Sequence, residues 1–156
     1  MLTVGSPLPP VVLPNQHGEL VDLAQMKGKR VLIFFYPKAN TPGCTQQACG
    51  LRDIAGGVDG ATTLDATVIV GISPDTSAAQ KKFDDKYDLG YVLLADTGHT
   101  VAEAFGVWQE KVNYGKRYMG IVRSAFLIDP TSVVEQAWYK ISPSDTPKKL
   151  LEAVGK

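Results

Sequence analysis

Val31-Leu32-Ile33-Phe34-Phe35-Tyr36 is an unbroken run of β-branched, aliphatic and aromatic residues closed by Pro37, and Lys38-Ala39-Asn40-Thr41-Pro42-Gly43-Cys44 follows it directly. Such a run, with no polar alternation, reads as a strand covered on both faces. Pro37 ends it, having no N–H to continue a ladder. Thr41 is then placed as an N-cap, with Pro42 at the first helical position, where a missing N–H is no loss. A buried strand that turns into a helix within a few residues commits the chain to layered α/β packing. It also sets Cys44 in the first turn of that helix. There, unpaired backbone N–H groups and the positive end of the helix dipole favour a thiolate, the reactive form of the side chain.

The second cysteine, Cys49, lies five positions further on. On an ideal helix that spacing is about 7.5 Å of rise and about 140° of rotation, leaving the Cα atoms roughly 8.5 to 9 Å apart. A disulfide needs less than about 7 Å. If the two bond, the helix between them must come apart, which suggests a redox catalyst with two conformations. Two other readings stand beside it. One takes both cysteines as small buried apolar residues; the other takes the pair as metal ligands. For a metal site, C-x-x-x-x-C is not a common zinc spacing, and only two histidines are available as further ligands.

The whole chain narrows the classes. Its 156 residues make one domain with a real core. Formal net charge is zero and no basic run occurs, so neither nucleic acid nor an anionic membrane surface is indicated. No apolar segment approaches the ~20 residues of a membrane span. Met1-Leu2-Thr3-Val4-Gly5 lacks the basic start and apolar core of an export signal, so the expected location is the cytoplasm. In that reducing setting a cysteine pair is more often catalytic than structural.

Gly5-Ser6-Pro7-Leu8-Pro9-Pro10 is an extended lead-in to Val11-Val12-Leu13-Pro14. Asn15-Gln16-His17-Gly18 is a hairpin turn, with Glu19–Leu23 returning as a short strand. Lys27–Arg30 turns into the strand at 31–36. The helix opened by Thr41 runs to about Ile54 and is broken by the glycines at 56, 57 and 60. A parallel-type strand is expected at 66–72. Ser73-Pro74-Asp75-Thr76 then caps a helix to about Tyr87, with Phe83 and Tyr87 on one face. A short strand at 90–94 and a helix from Asp96-Thr97-Gly98-His99-Thr100 through Phe105 come next. Strands at 124–129 and 133–139, joined at Pro130-Thr131-Ser132, form a terminal hairpin, and a helix from Pro147 to about Val154 closes the chain. The expectation is a mixed sheet flanked by helices, with the site at the carboxyl end of the strand at 31–36.

These residues carry a resemblance. Pro37-x-x-x-Thr41-x-x-Cys44 resembles the active-site signature of the peroxiredoxins, and Cys49 at its spacing resembles the Q-type branch, the bacterioferritin comigratory protein family. The likeness also takes in Gly5-x-x-Leu8-Pro9, Phe34–Lys38, Gly71–Asp75, Glu110-Lys111-x-x-Tyr114-Gly115-Lys116 and Gly120-Ile121-x-Arg123-Ser124-x-Phe126-Leu127-Ile128-Asp129. Ala125 departs from it, standing where the family usually has threonine.

The resemblance implies a thioredoxin-like fold, with an N-terminal hairpin, and reduction of hydroperoxides. In that reading Cys44 is the peroxidatic thiolate that becomes a sulfenic acid. Thr41 orients the peroxide, and Arg123 favours the thiolate and stabilises charge on the leaving oxygen. Pro42 screens the site from water, Pro37 shapes it, and the N–H groups of Gly43 and Cys44 complete the donor set. Cys49 resolves the sulfenic acid as an intramolecular disulfide, reduced in turn by thioredoxin or a similar dithiol. No cofactor or metal is implied, and the resemblance favours a monomer.

Two alternatives belong to other classes. A thioredoxin-like thiol-disulfide oxidoreductase usually carries C-x-x-C, and insulin reduction would separate it. A copper-binding thioredoxin-fold assembly protein needs a later histidine ligand, and none follows Arg123. His17 and His99 are expected in exposed structural roles. Trp108, Tyr114, Tyr118 and Met119 are expected to pack over the core and in part to line an apolar approach, and Lys148-Lys149 to sit on an exposed helix face.

Overall fold

The computed structural model describes residues 2–26, 28–55 and 67–154. The glycines at 56, 57 and 60, and the start of the strand expected at 66, lie outside the described residues.

The elements follow in the order β1 (Val12–Pro14), β2 (Leu20–Asp22), a 3₁₀ turn (Leu23–Met26), β3 (Arg30–Phe35), α1 (Pro42–Ala55), β4 (Thr67–Ser73), α2 (Ser77–Tyr87), β5 (Val92–Ala95) and α3 (Thr100–Ala104). They continue with β6 (Trp108–Asn113), β7 (Lys116–Ile121), β8 (Ser124–Ile128), β9 (Val134–Trp138) and α4 (Asp145–Val154). The central five-stranded sheet has the order β5-β4-β3-β8-β9. β3, β4 and β5 are parallel, whereas β8 and β9 run antiparallel to their neighbours. β3 is thus the middle strand, as its composition requires.

Alternation along β3 builds a core on each side of it. Val31, Ile33 and Phe35 face a layer made with Val101, Phe105, Val107 and Phe126. Leu32, Phe34 and Tyr36 face α1, α2 and α4, joining Ala48, Leu51, Phe83 and Leu150. One glycine in the sheet is required by close approach: a Cβ on Gly71 would sit 2.8 Å from Phe34 Cζ and 2.9 Å from Leu93 Cδ2. Ala125 pairs with Phe34 in the β3–β8 register and is fully buried in the helix-side core, a position where a small apolar residue fits.

Besides the short 3₁₀ turn, one strand pair is absent from the sequence reading. Trp108–Asn113 and Lys116–Ile121 form a separate two-stranded hairpin, joined at Tyr114-Gly115. Both turn residues have positive φ (51° and 77°), the conformation such a two-residue turn demands. The hairpin corrects the expectation for its aromatic residues. Only Trp108 packs against the core. Tyr114 is 98% exposed, and Tyr118 and Met119 are about half exposed. A two-stranded ribbon has no second layer to cover both of its faces.

Candidate active site

The loop after β3 is held by a buried polar chain. Tyr36, fully buried, donates from its hydroxyl to Gln80 Oε1. Gln80 Nε2 donates to Ser73 Oγ at 2.9 Å, and Ser73 Oγ donates to Asp75 Oδ2 at 2.7 Å. That same carboxylate oxygen accepts the Ala39 N–H at 2.7 Å. Burial drives the Tyr36 phenol well above its ordinary range, so it serves as a fixed donor. Asn40 takes a left-handed φ of 62°, and its Oδ1 accepts from the Tyr87 hydroxyl at 3.0 Å. The residues leading into α1 are therefore braced by the β4–α2 connection, which explains why Ser73, Asp75 and Gln80 accompany the Cys44 segment.

Thr41 precedes α1 as expected, and its carbonyl accepts the Thr45 N–H at 2.8 Å to close the first turn. Its side chain does not act as the cap. Thr41 Oγ1 donates to the Lys38 carbonyl at 2.8 Å, which leaves the oxygen lone pairs free to accept. Pro42 occupies the first helical position and is exposed, and Pro37 is half-buried at the end of β3.

Cys44 lies in the first turn of α1 with only 1% of its surface exposed, at the edge of the helix-side core. It is not isolated from charge. Arg123, between β7 and β8, donates from Nη2 to Cys44 Sγ at 3.4 Å. The other guanidinium nitrogen, Nη1, donates to Gln47 Oε1 at 2.7 Å. Gln47 Nε2 in turn donates to Thr146 Oγ1 at 2.9 Å, at the start of α4. A bridging amide thus fixes the guanidinium between two helices. Gly43 is needed for the same approach, since a Cβ there would meet Arg123 Nη2 at 3.1 Å and Pro143 Cγ at 3.5 Å.

The sequence reading missed Gln47 and Thr146. A signal for Gln47 was present: it lies on the face shared by Cys44, Ala48 and Leu51, all buried, and is the one amide among them. A fully buried amide must be paired. Thr146 carried no comparable signal.

Arg123 also lines an open cavity of about 580 Å³ together with Lys111, Val112, Tyr118, Lys140 and Ile141. Desolvation and then the neighbouring Arg123 lower the Lys111 pKa. Of the four residues expected to line an apolar approach, only Tyr118 lines this cavity, and its neighbours Glu110, Lys111 and Lys140 make the approach charged rather than apolar.

Cys49, half-buried, packs against the same core cluster as Cys44, and both are free thiols. Because α1 runs unbroken from Pro42 to Ala55, the ideal-helix separation of roughly 8.5 to 9 Å between their Cα atoms applies. His17 is exposed in the first hairpin turn. His99 stacks on Trp108, with ring centroids 4.0 Å apart and an interplanar angle of 3°.

Known proteins resemble this chain along most of its length. The AhpC/TSA family model matches residues 4–137. Peroxiredoxin Bcp of Bacillus subtilis is 42% identical over 153 residues, covering 98% of this chain and 95% of the relative. Peroxiredoxin Bcp of Escherichia coli K12 is 45% identical over 142 residues, covering 88% of this chain and 85% of the relative. A solved structure of the bacterioferritin comigratory protein of Xanthomonas campestris, from work on its alkyl peroxide reduction, superimposes with a TM-score of 0.84 at 31% identity. It covers 93% of this chain and 90% of that one.

Proposed function

The chain belongs to the AhpC/TSA family, among the Q-type peroxiredoxins, and is a thiol-dependent peroxidase; on that premise we propose which of its residues do the chemistry. Cys44 is the peroxidatic residue. Its thiolate attacks one oxygen of the hydroperoxide, so that an S–O bond forms and the O–O bond breaks. The sulfur becomes a sulfenic acid, and the departing alkoxide or hydroxide takes up a proton. The observation that carries this reading is the 3.4 Å contact from Arg123 Nη2 to Cys44 Sγ. A guanidinium at that position is a charged donor beside the sulfur, placed to stabilise charge that develops on the departing oxygen.

Thr41 complements it. With its hydroxyl hydrogen given to Lys38, its oxygen is the acceptor that orients the O–H of the peroxide. The N–H groups of Gly43 and Cys44 add donors, while Pro37 and Pro42 shape the mouth and keep water from the sulfur. Cys49 then attacks the Cys44 sulfenic sulfur, forming the S–S bond and expelling hydroxide, which leaves as water. Thioredoxin or a similar dithiol restores the two thiols. Hydrogen peroxide and small organic hydroperoxides are the substrates. Both reacting sulfurs belong to one helix, so the disulfide closes within one chain and a monomer suffices; a cysteine pair recycled by a dithiol suits the reducing cytoplasm.

Peroxide consumption coupled to a thioredoxin system tests the assignment. Cys44→Ser should abolish turnover, and retention of full activity would refute the peroxidatic role. Cys49→Ser should still consume one equivalent of peroxide but lose thioredoxin-linked turnover. Normal turnover by that variant removes Cys49 from the mechanism.

A further inference from the structure

Joining Cys44 to Cys49 has to release whatever ties the middle of α1 to its neighbours. Two of those ties lie away from Arg123. The Tyr91 hydroxyl, just before β5, donates to the Ala48 carbonyl at 2.8 Å. Arg52 Nη1 donates to the Tyr87 carbonyl at the last residue of α2, at 2.7 Å. Ala48 directly precedes Cys49, and Arg52 lies three residues beyond it on the adjoining helix surface. The two hydrogen bonds bracket the cysteine that must move. Both are anchored by aromatic packing: the Tyr91 ring packs edge-on against Phe34 with centroids 5.9 Å apart, and Tyr87 packs against Phe83 at 5.6 Å. Burial raises the Tyr91 pKa well above its ordinary value, so the phenol stays a donor at any working pH.

We propose that the Tyr91–Ala48 and Arg52–Tyr87 hydrogen bonds are latches on α1. They set how fast Cys49 reaches the Cys44 sulfenic acid, and so how oxidised enzyme divides between disulfide and sulfinic acid. The inference rests on the roles given above to the two cysteines. While α1 stays latched, the sulfenic sulfur remains beside Arg123. A second hydroperoxide can then react there, forming a second S–O bond as its O–O bond breaks, and the departing alkoxide takes a proton. Once the latches open, the Cys49 thiolate attacks instead and closes the S–S bond with loss of water. Tyr91 and Arg52 act through the helix, which makes them positioning residues.

Tyr91→Phe keeps the ring and its packing and deletes only the hydroxyl, and Arg52→Met keeps the apolar stem and deletes the donor. The reduced proteins are mixed with hydrogen peroxide and quenched on the millisecond scale. Mass spectrometry then counts sulfenic acid, Cys44–Cys49 disulfide and sulfinic acid. An ordinary net hydrogen bond corresponds to about a fivefold change in an opening equilibrium. Each variant should therefore form disulfide about fivefold faster and need about fivefold more peroxide to reach half sulfinic acid. The rate of first oxidation should stay within about twofold of wild type, since a general loosening of the site would slow that step as well. Unchanged disulfide rates and sulfinic-acid thresholds in both variants, with the wild-type disulfide still forming, overturn the latch alone. A wild-type protein that forms no Cys44–Cys49 bond overturns the cysteine assignment, and the latch with it.

Discussion

A buried sulfur can act as a nucleophile only if its charge is met where it sits, and the donor that reaches Cys44 is held by a relay drawn from three parts of the chain. Arg123 supplies the donor, Gln47 aims it, and Thr146 holds Gln47. Gln47 spends its amide on Arg123 and Thr146, so its contribution is orientation. Replacing it with leucine, of similar volume, deletes the bridge and leaves the guanidinium free to swing. We expect Gln47→Leu to lower the second-order rate of Cys44 oxidation by about ten- to a hundredfold, the scale of a displacement near 1 Å at a reacting group. Far-ultraviolet circular dichroism should be unchanged. Stopped-flow oxidation by hydrogen peroxide measures the rate, and wild-type kinetics would remove Gln47 from the site. Cys44, Thr41 and Pro42 were legible from the sequence because local chemistry places them: a strand end, a helix start and a first-turn position. Arg123 became legible only through the resemblance, since 79 residues separate it from Cys44. Gln47 was overlooked although its spacing from Cys44, Ala48 and Leu51 puts it on their helix face, the one signal it carries.

At the scale of elements, β3 organises the molecule because both of its faces are covered, and its neighbour β4 must then come close. Gly71 allows that approach. Alanine there would put a methyl group under 3.0 Å from both Phe34 and Leu93, two fully buried residues with little room to yield. Overpacking of this kind costs about 1–3 kcal/mol. For a domain of this size that is a fall in Tm of roughly 2–12 °C, which calorimetry on Gly71→Ala would read. An unchanged Tm would mean that the sheet relaxes more freely than its packing implies. The strands and helices around β3 were legible because each carries a strong pattern: continuous apolar runs for β3, β4 and β8, and caps or glycines at helix ends. The β6–β7 hairpin was not, for a physical reason. Exposed on much of its surface, it needs neither a continuous apolar run nor a clean alternation, and its Tyr114-Gly115 turn is a weaker signal than Asn-Gly. Thr41 taught the converse lesson. Its place before Pro42 was correct, yet its hydroxyl turned back to Lys38, a choice among local acceptors that sequence does not rank.

For the whole molecule, the same helix that seats Cys44 beside Arg123 keeps Cys49 beyond bonding distance. In the cycle proposed above, the peroxide step uses α1 wound and the resolving step uses it open, so that proposal requires two conformations of one segment. The proposed disulfide joins two sulfurs five residues apart in one chain, so it is intramolecular. The most direct test is peptide mapping by mass spectrometry of the fully reduced protein after one equivalent of hydrogen peroxide. The account predicts a single disulfide between Cys44 and Cys49, formed within one chain and reversed by a dithiol. Cys44 left as a free thiol, or bonded to a cysteine of another molecule, would contradict it.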